Sequence, residues 1–120
     1  MIPRFAAADK PMIAAIDEQR EALEALCRQH HVRRLEVFGS AADGTFDPQR
    51  SDLDFLVDFS PLPPGGYFDE YFGLLESLEG LFGRRVDLVD MECLRNPYFI
   101  QGVNETRQLI YEARPEKVSL

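Results

Sequence analysis

From Ser51 to Phe59 the chain reads SDLDFLVDF. In an extended strand successive side chains point to opposite faces. Here Asp52, Asp54, Leu56 and Asp58 fall on one face, and Leu53, Phe55, Val57 and Phe59 on the other. The segment therefore reads as a half-buried strand carrying two carboxylates side by side, about 7 Å apart at Cα. Left unpaired, such carboxylates raise each other's pKa. A pair of divalent cations spaced about 3.5–4 Å apart would remove the repulsion. Oxygen ligands and retained waters suit Mg2+, and a nucleoside triphosphate can bring the remaining ligands.

The residues around this strand add to that chemistry. Upstream, residues 33–38 alternate as a strand, and Val37-Phe38 runs into Gly39-Ser40. Gly39 lets the backbone turn sharply and approach a phosphate closely. Ser40 supplies a hydroxyl and, with the N–H groups that follow at a short helix start, an anion nest. Downstream, RRVDLVD (84–90) reads as a third strand, and Asp87 is the candidate third carboxylate. It could bind one metal ion and help deprotonate an attacking hydroxyl. Arg84 and Arg85 stand close enough in sequence for one of them to offset triphosphate charge. Singly these features are ordinary: acids are common on exposed strand faces, and arginines are more often solvated than phosphate-bound. The signal lies in their ordered combination.

The rest of the chain supplies a single domain. Residues 11–29 read as one helix with Pro11 in the first turn and an apolar stripe of Ile13, Ile16, Leu23, Leu26 and Cys27. Residues 42–50 are a loop, and SPLPPGG (60–66) is a rigid turn. A second helix over 67–82 presents Phe68, Phe72, Leu75, Leu78 and Phe82 as its apolar face, and Gly83 ends it. Asn96-Pro97 reads as a cap and first turn for a helix over 97–106. RQLIYEA (107–113) fits either an edge strand or a continuation of that helix. The expected organisation is an N-terminal extension (1–10), one domain (11–113) and a loose tail (114–120).

The 120 residues include 13 basic and 21 acidic ones, for a net charge of −8. That balance disfavours broad attachment to nucleic acid, which needs clustered Lys and Arg. No apolar run approaches the roughly 20 residues needed to span a bilayer. The N-terminus MIPRFAAADKP lacks the apolar centre of a signal peptide, so a cytoplasmic protein is expected. Cys27 and Cys93 form no CxxC and read as free thiols. His30 and His31 end the first helical pattern, where the helix dipole favours them without any metal. The aromatic run Tyr67, Phe68, Tyr71, Phe72 reads first as a core helix; exposure on two faces would mark a partner surface instead.

The combination VFGS (37–40), SDLDFLVDF (51–59), GRRVDLVD (83–90) and NPYFIQGVNETRQLIYEA (96–113) resembles the DNA-polymerase-β-like nucleotidyltransferases. More closely, it is similar to the minimal nucleotidyltransferase (MNT) family, over about residues 11–113. The resemblance implies an α/β (α+β) nucleotidyltransferase fold, a small mixed β-sheet with helices packed on one side. It also implies Mg2+ (two ions) with ATP as substrate. Gly39 and Ser40 would hold the triphosphate, and Asp52, Asp54 and Asp87 would be the catalytic, metal-binding acids. Many MNT proteins are antitoxins paired with a HEPN-type ribonuclease toxin, where the implied reaction is attack of a tyrosine hydroxyl of the toxin on the α-phosphate of ATP. A homo-oligomer is compatible with this reading. Two departures stand out. The family commonly reads Gly-Ser-x-Ala-Arg-Gly, and here GSAADG puts Asp43 in place of the arginine. The loop from Ala41 to Ser51 has eleven residues where about ten is usual. Asp43 motivates the alternative of a binding module that neutralises its partner by contact. A nucleotidyltransferase for small molecules such as aminoglycosides is a further alternative, but the chain has no room for the acceptor domain those relatives carry.

Overall fold

The computed structural model describes residues 11–44, 47 and 52–113. The expected extension 1–10, the tail 114–120 and most of the Ala41–Ser51 loop, including its extra residue, lie outside the described residues, as does the side chain of Ile13. The elements are α1 (Pro11–Glu18), α2 (Arg20–Gln29), β1 (Val32–Phe38), the helical turn α3 (Ser40–Asp43), β2 (Leu53–Phe59), α4 (Tyr67–Phe82), β3 (Val86–Asp90), a 3-10 turn (Met91–Cys93), α5 (Pro97–Thr106) and β4 (Gln108–Glu112).

The four strands form one mixed sheet in the order β3-β2-β1-β4. β1 pairs antiparallel with β2 and with β4, while β2 and β3 run parallel. The alternation read from SDLDFLVDF is the one the sheet uses. Leu53, Phe55, Val57 and Phe59 are buried in the main core, together with Leu35, Val37, Val86 and Leu88. Ile16 of α1, Leu23 and Cys27 of α2, and Leu74 and Leu78 of α4 cover that face. A smaller cluster, Phe38, Leu56 and Val103 with Val89, Met91 and Leu94 against it, lies on the other face, where α5 crosses. Asp54 and Asp87 share this second face by alternation with Leu56 and Val89.

Local chemistry explains most element ends. Asn96 caps α5, its Oδ1 accepting the N–H groups of Tyr98 (2.8 Å) and Phe99 (3.3 Å), and Pro97 occupies the first turn. Gly83, at φ 65°, closes α4 in the left-handed conformation. The segment left open between helix and strand is β4, an edge strand, whose Leu35↔Tyr111 and Val37↔Gln108 pairings to β1 supply its backbone partners.

Two expectations need correction. The helix over 11–29 is broken at Gln19 (φ −102°, ψ 17°) into α1 and α2. The Gln19 N–H is shared between the carbonyls of Ala15 (3.2 Å) and Ile16 (3.1 Å), which tightens the turn. Arg20, the next residue, reaches the Ile110 carbonyl at 2.6 Å and Asp17 at 2.6 Å. The apolar face of α4 is only partly the expected one: Leu75, Leu78 and Phe82 pack in or against the core as expected, but the two phenylalanines at its start do not. Phe68 (67% exposed) and Phe72 (44%) face solvent, while Leu74 and Leu78 are fully buried and Tyr71, Leu75, Leu81 and Phe82 pack at the core's edge. The phenol groups set this rotation: Tyr71 donates to the Leu88 carbonyl, and Tyr67 to Asp90 at 2.6 Å. Gly73 allows the close approach, since a Cβ there would lie 2.8 Å from His30 Cε1.

The main core depends most on Phe55, which is fully buried on the central strand β2, with its ring 6.0 Å from that of Phe82. Phe55→Ala is expected to lower unfolding free energy by about 3–5 kcal/mol in urea melts. A loss under about 1 kcal/mol would show that this face is not the core.

Candidate active site

The sheet brings the sequence-predicted acids to one place. Asp54 and Asp87 are Cα partners across the parallel β2/β3 pair, and Asp52 immediately precedes β2. On its other side Asp54 is the Cα partner of Phe38, the last residue of β1. Gly39 follows at once, with φ 74° and ψ −148°, a region that L side chains rarely adopt. A Cβ built on Gly39 would stand 2.6 Å from Asp54 Oδ2. The absent side chain is thus what lets the carboxylate lie against the turn. Ser40 opens α3, so the expected short helix after Gly-Ser is present.

The electrostatics follow from this crowding. Asp54 is half-buried, and its pKa is pushed up to about 6, first by desolvation, then by the charges of Asp87 and Asp52. Asp87 is exposed. Among the described residues Arg85 is a cationic neighbour of Asp52, its Nε 3.9 Å from Asp52 Oδ1. That distance and the exposure of Arg85 make the pair weak. Arg84 is partly exposed. Asp43 ends α3 on the exposed side.

The donor set of Asp52, Asp54 and Asp87 is all oxygen, as a hard cation such as Mg2+ requires. Among the described residues, however, no three His, Cys, Asp or Glu side chains are gathered closely enough to hold a metal ion as they stand. The fold sets Asp54 beside Asp87 on adjacent strands, with Asp52 just before β2. The other candidate ligands lie elsewhere. His30 and His31 place their Nδ1 atoms 3.1 and 3.0 Å from the two carboxylate oxygens of Glu70 on α4, against the main core. Cys27 is buried, with its thiol pushed up to about 12 by desolvation, while Cys93 is exposed.

One contact at the site escaped the sequence reading. Thr106, the last residue of α5, accepts the Gly39 N–H on its Oγ1 at 2.8 Å. No spacing rule links positions 67 residues apart.

The model of the nucleotidyltransferase domain matches residues 19–111. The chain belongs to this family. As a minimal nucleotidyltransferase it is similar to the protein adenylyltransferase MntA of Thermococcus cleftensis, 40% identical over 82 residues, covering 67% of this chain and 74% of that one. A solved structure of a candidate minimal nucleotidyltransferase superposes with a TM-score of 0.63 at 37% identity, covering 77% of this chain and 89% of the other. The fold also matches the structure of tri-AMPylated Shewanella oneidensis HEPN toxin in complex with MNT antitoxin. There the TM-score is 0.56 at 17% identity, over 82% of this chain and 73% of that one. Among the described residues, no helix of this nucleotidyltransferase is long and apolar enough to cross a membrane.

Two outcomes follow. Gly39→Ala is expected to cost about 1–3 kcal/mol in stability, from strained φ and the clash with Asp54, as read by thermal and urea melts. For Asp54, the folded pKa exceeds the ordinary 3.8, so the folded state binds the extra proton. Its contribution is full below pH 3.8 and is lost as pH rises towards 6. In metal-free buffer at about pH 7–8, Asp54→Asn should therefore stabilise the chain, by about 1–2 kcal/mol once partial solvent screening is allowed for, with no gain at about pH 3.5. An equal effect at both pH values would show that Asp54 is not strained by its neighbours.

Proposed function

We propose that the chain is a Mg2+-dependent protein adenylyltransferase, transferring AMP from ATP to a tyrosine hydroxyl of a HEPN-type toxin for which it is the antitoxin. The observation that carries this reading is the pairing of Asp54 with Asp87 across β2/β3, directly beside the positive-φ Gly39. Similarity to the Thermococcus protein adenylyltransferase supports the reaction class, and the shared fold with the MNT antitoxin bound to an AMPylated HEPN toxin supports the partner. Residues 11–113 form the proposed working domain, in the cytoplasm.

In this proposal Asp52, Asp54 and Asp87 would hold two Mg2+ ions, which would supply charge neutralisation on the triphosphate and on the leaving pyrophosphate. Gly39 brings backbone against the phosphates without a side chain between, and the Ser40 hydroxyl donates to a phosphate oxygen. The exposed Asp87 carboxylate takes the proton of the tyrosine hydroxyl as its oxygen bonds to the α-phosphorus. The bond to the pyrophosphate oxygen breaks opposite the incoming oxygen, leaving AMP on the tyrosine. Arg85, or Arg84 beside it, offsets charge on the departing pyrophosphate. The exposed aromatics of α4, Tyr67, Phe68 and Phe72, support a protein partner, because large apolar side chains clustered on a surface mark contact sites.

The exposed acid at Asp43 favours a second reading, in which the same fold neutralises its partner by contact alone. Titration of Mg2+ and ATP by calorimetry separates the two, since a contact-only module has no need of metal-dependent affinity. The direct test incubates the chain with labelled ATP, Mg2+ and the neighbouring toxin. Label is expected on a toxin tyrosine, with transfer reduced at least about 1000-fold by Asp52→Asn or Asp54→Asn and abolished by EDTA. Transfer that survives either substitution refutes this assignment.

A further inference from the structure

The residues that end α5 and open β4 reach back to the end of β1 and the turn that follows it. Thr106 Oγ1 accepts the Gly39 N–H at 2.8 Å. Gln108 Nε2 donates to the Ala42 carbonyl at 2.8 Å, beyond the turn. Between them, Arg107 donates through Nε to Glu36 Oε1, just before it, and through Nη1 to Asn104 at 2.6 Å. Glu36 is 2% exposed and is also held by Arg34, so its carboxylate is a fixed anchor. Three consecutive side chains thus grip the end of β1, the glycine turn and the helical turn that follows.

The Gly39 amide needs such a partner. The β1/β2 ladder ends at Phe38↔Asp54 and the β1/β4 pairing at Val37↔Gln108, so no strand neighbour receives this N–H. Glycine has other φ/ψ regions equally open to it, so the observed peptide orientation is selected by its contacts. Asp54 Oδ2 lies against the same glycine. A rotation of the Gly39 peptide would therefore disturb both the turn and the carboxylate.

We infer that Thr106 is a positioning residue for the nucleotide. Its hydroxyl holds the Gly39 peptide in the orientation that presents the Gly39–Ser40 segment to the triphosphate, and Arg107 and Gln108 brace the junction that carries it. This inference rests on the nucleotidyltransferase reading and adds to it a residue outside the Gly-Ser and Asp-x-Asp positions. It also ties nucleotide binding to the packing of α5 on the second face of the sheet.

The test compares Thr106→Val, which keeps shape and branching but loses the acceptor, with Thr106→Ser, which keeps the hydroxyl. Two readouts are taken on the full chain: the dissociation constant for ATP with Mg2+ by calorimetry, and hydrogen exchange of the Gly39 amide without ligand. Thr106→Val is expected to weaken ATP binding about tenfold and to speed that exchange about tenfold, the effect of one lost hydrogen bond. Thr106→Ser is expected to restore both to within about twofold. Gln108→Leu, at an exposed position, is expected to weaken binding in the same direction and serves where Thr106→Val does not fold. Wild-type affinity that survives both Thr106→Val and Gln108→Leu, or a Thr106→Ser variant as weak as Thr106→Val, overturns the inference alone. Absence of any ATP affinity in the wild-type chain sinks the nucleotidyltransferase reading and this role with it; the exchange rates then still report whether the hydroxyl holds the turn.

Discussion

The position of β2 between β1 and β3 is the constraint from which the rest of the site follows. Its antiparallel register to β1 sets Asp54 opposite Phe38, so the carboxylate lies at the point where the chain leaves the sheet through Gly39. Its parallel register to β3 sets Asp54 beside Asp87. A slip of one residue in either pairing would exchange the two faces, putting Asp54 into the main core and Phe55 on the face that α5 crosses. The four apolar residues of β2 that fill the main core oppose that slip. Burial on one face thereby holds the chemistry on the other.

Crowding on that second face has a cost, and it is concentrated on Asp54. Half-buried beside two other acids, it resists ionisation until about pH 6. Like charges crowded in a half-buried place make the ionised form of Asp54 costly. Glu36, on the same face of β1, is the contrast. It is more deeply buried, yet its pKa is lowered, because two arginines, Arg107 and Arg34, overcome the desolvation that opposes ionisation. The buried acid is tied into the structure by its arginines, while half-buried Asp54 sits among other acids.

Elements with strong local signals were readable in advance. The alternation of SDLDFLVDF assigned both faces of β2, and Asn96-Pro97 located α5 because the cap is a bond between near neighbours. The two errors had non-local causes. Aliphatic and aromatic stripes on α4 were both compatible with helical spacing. Contacts from Tyr71 to β3 and from His30 to the Gly73 notch selected between them. The break at Gln19 left no proline or glycine to announce it. The edge strand β4 was undecided because RQLIYEA suits either state, and only pairing with β1 resolves it.

At the site the same division holds. Residue types and their order, Gly-Ser, then Asp-x-Asp, then a later acid, were enough to point to the nucleotidyltransferase family whose domain matches residues 19–111. The sequence by itself also determined which face of β2 is buried, since that depends only on a period of two. What it could not hold was the adjacency of Asp87 to Asp54 and of Thr106 to Gly39. Those contacts join positions 33 and 67 residues apart, and they exist only once strand pairing and helix packing have closed the chain.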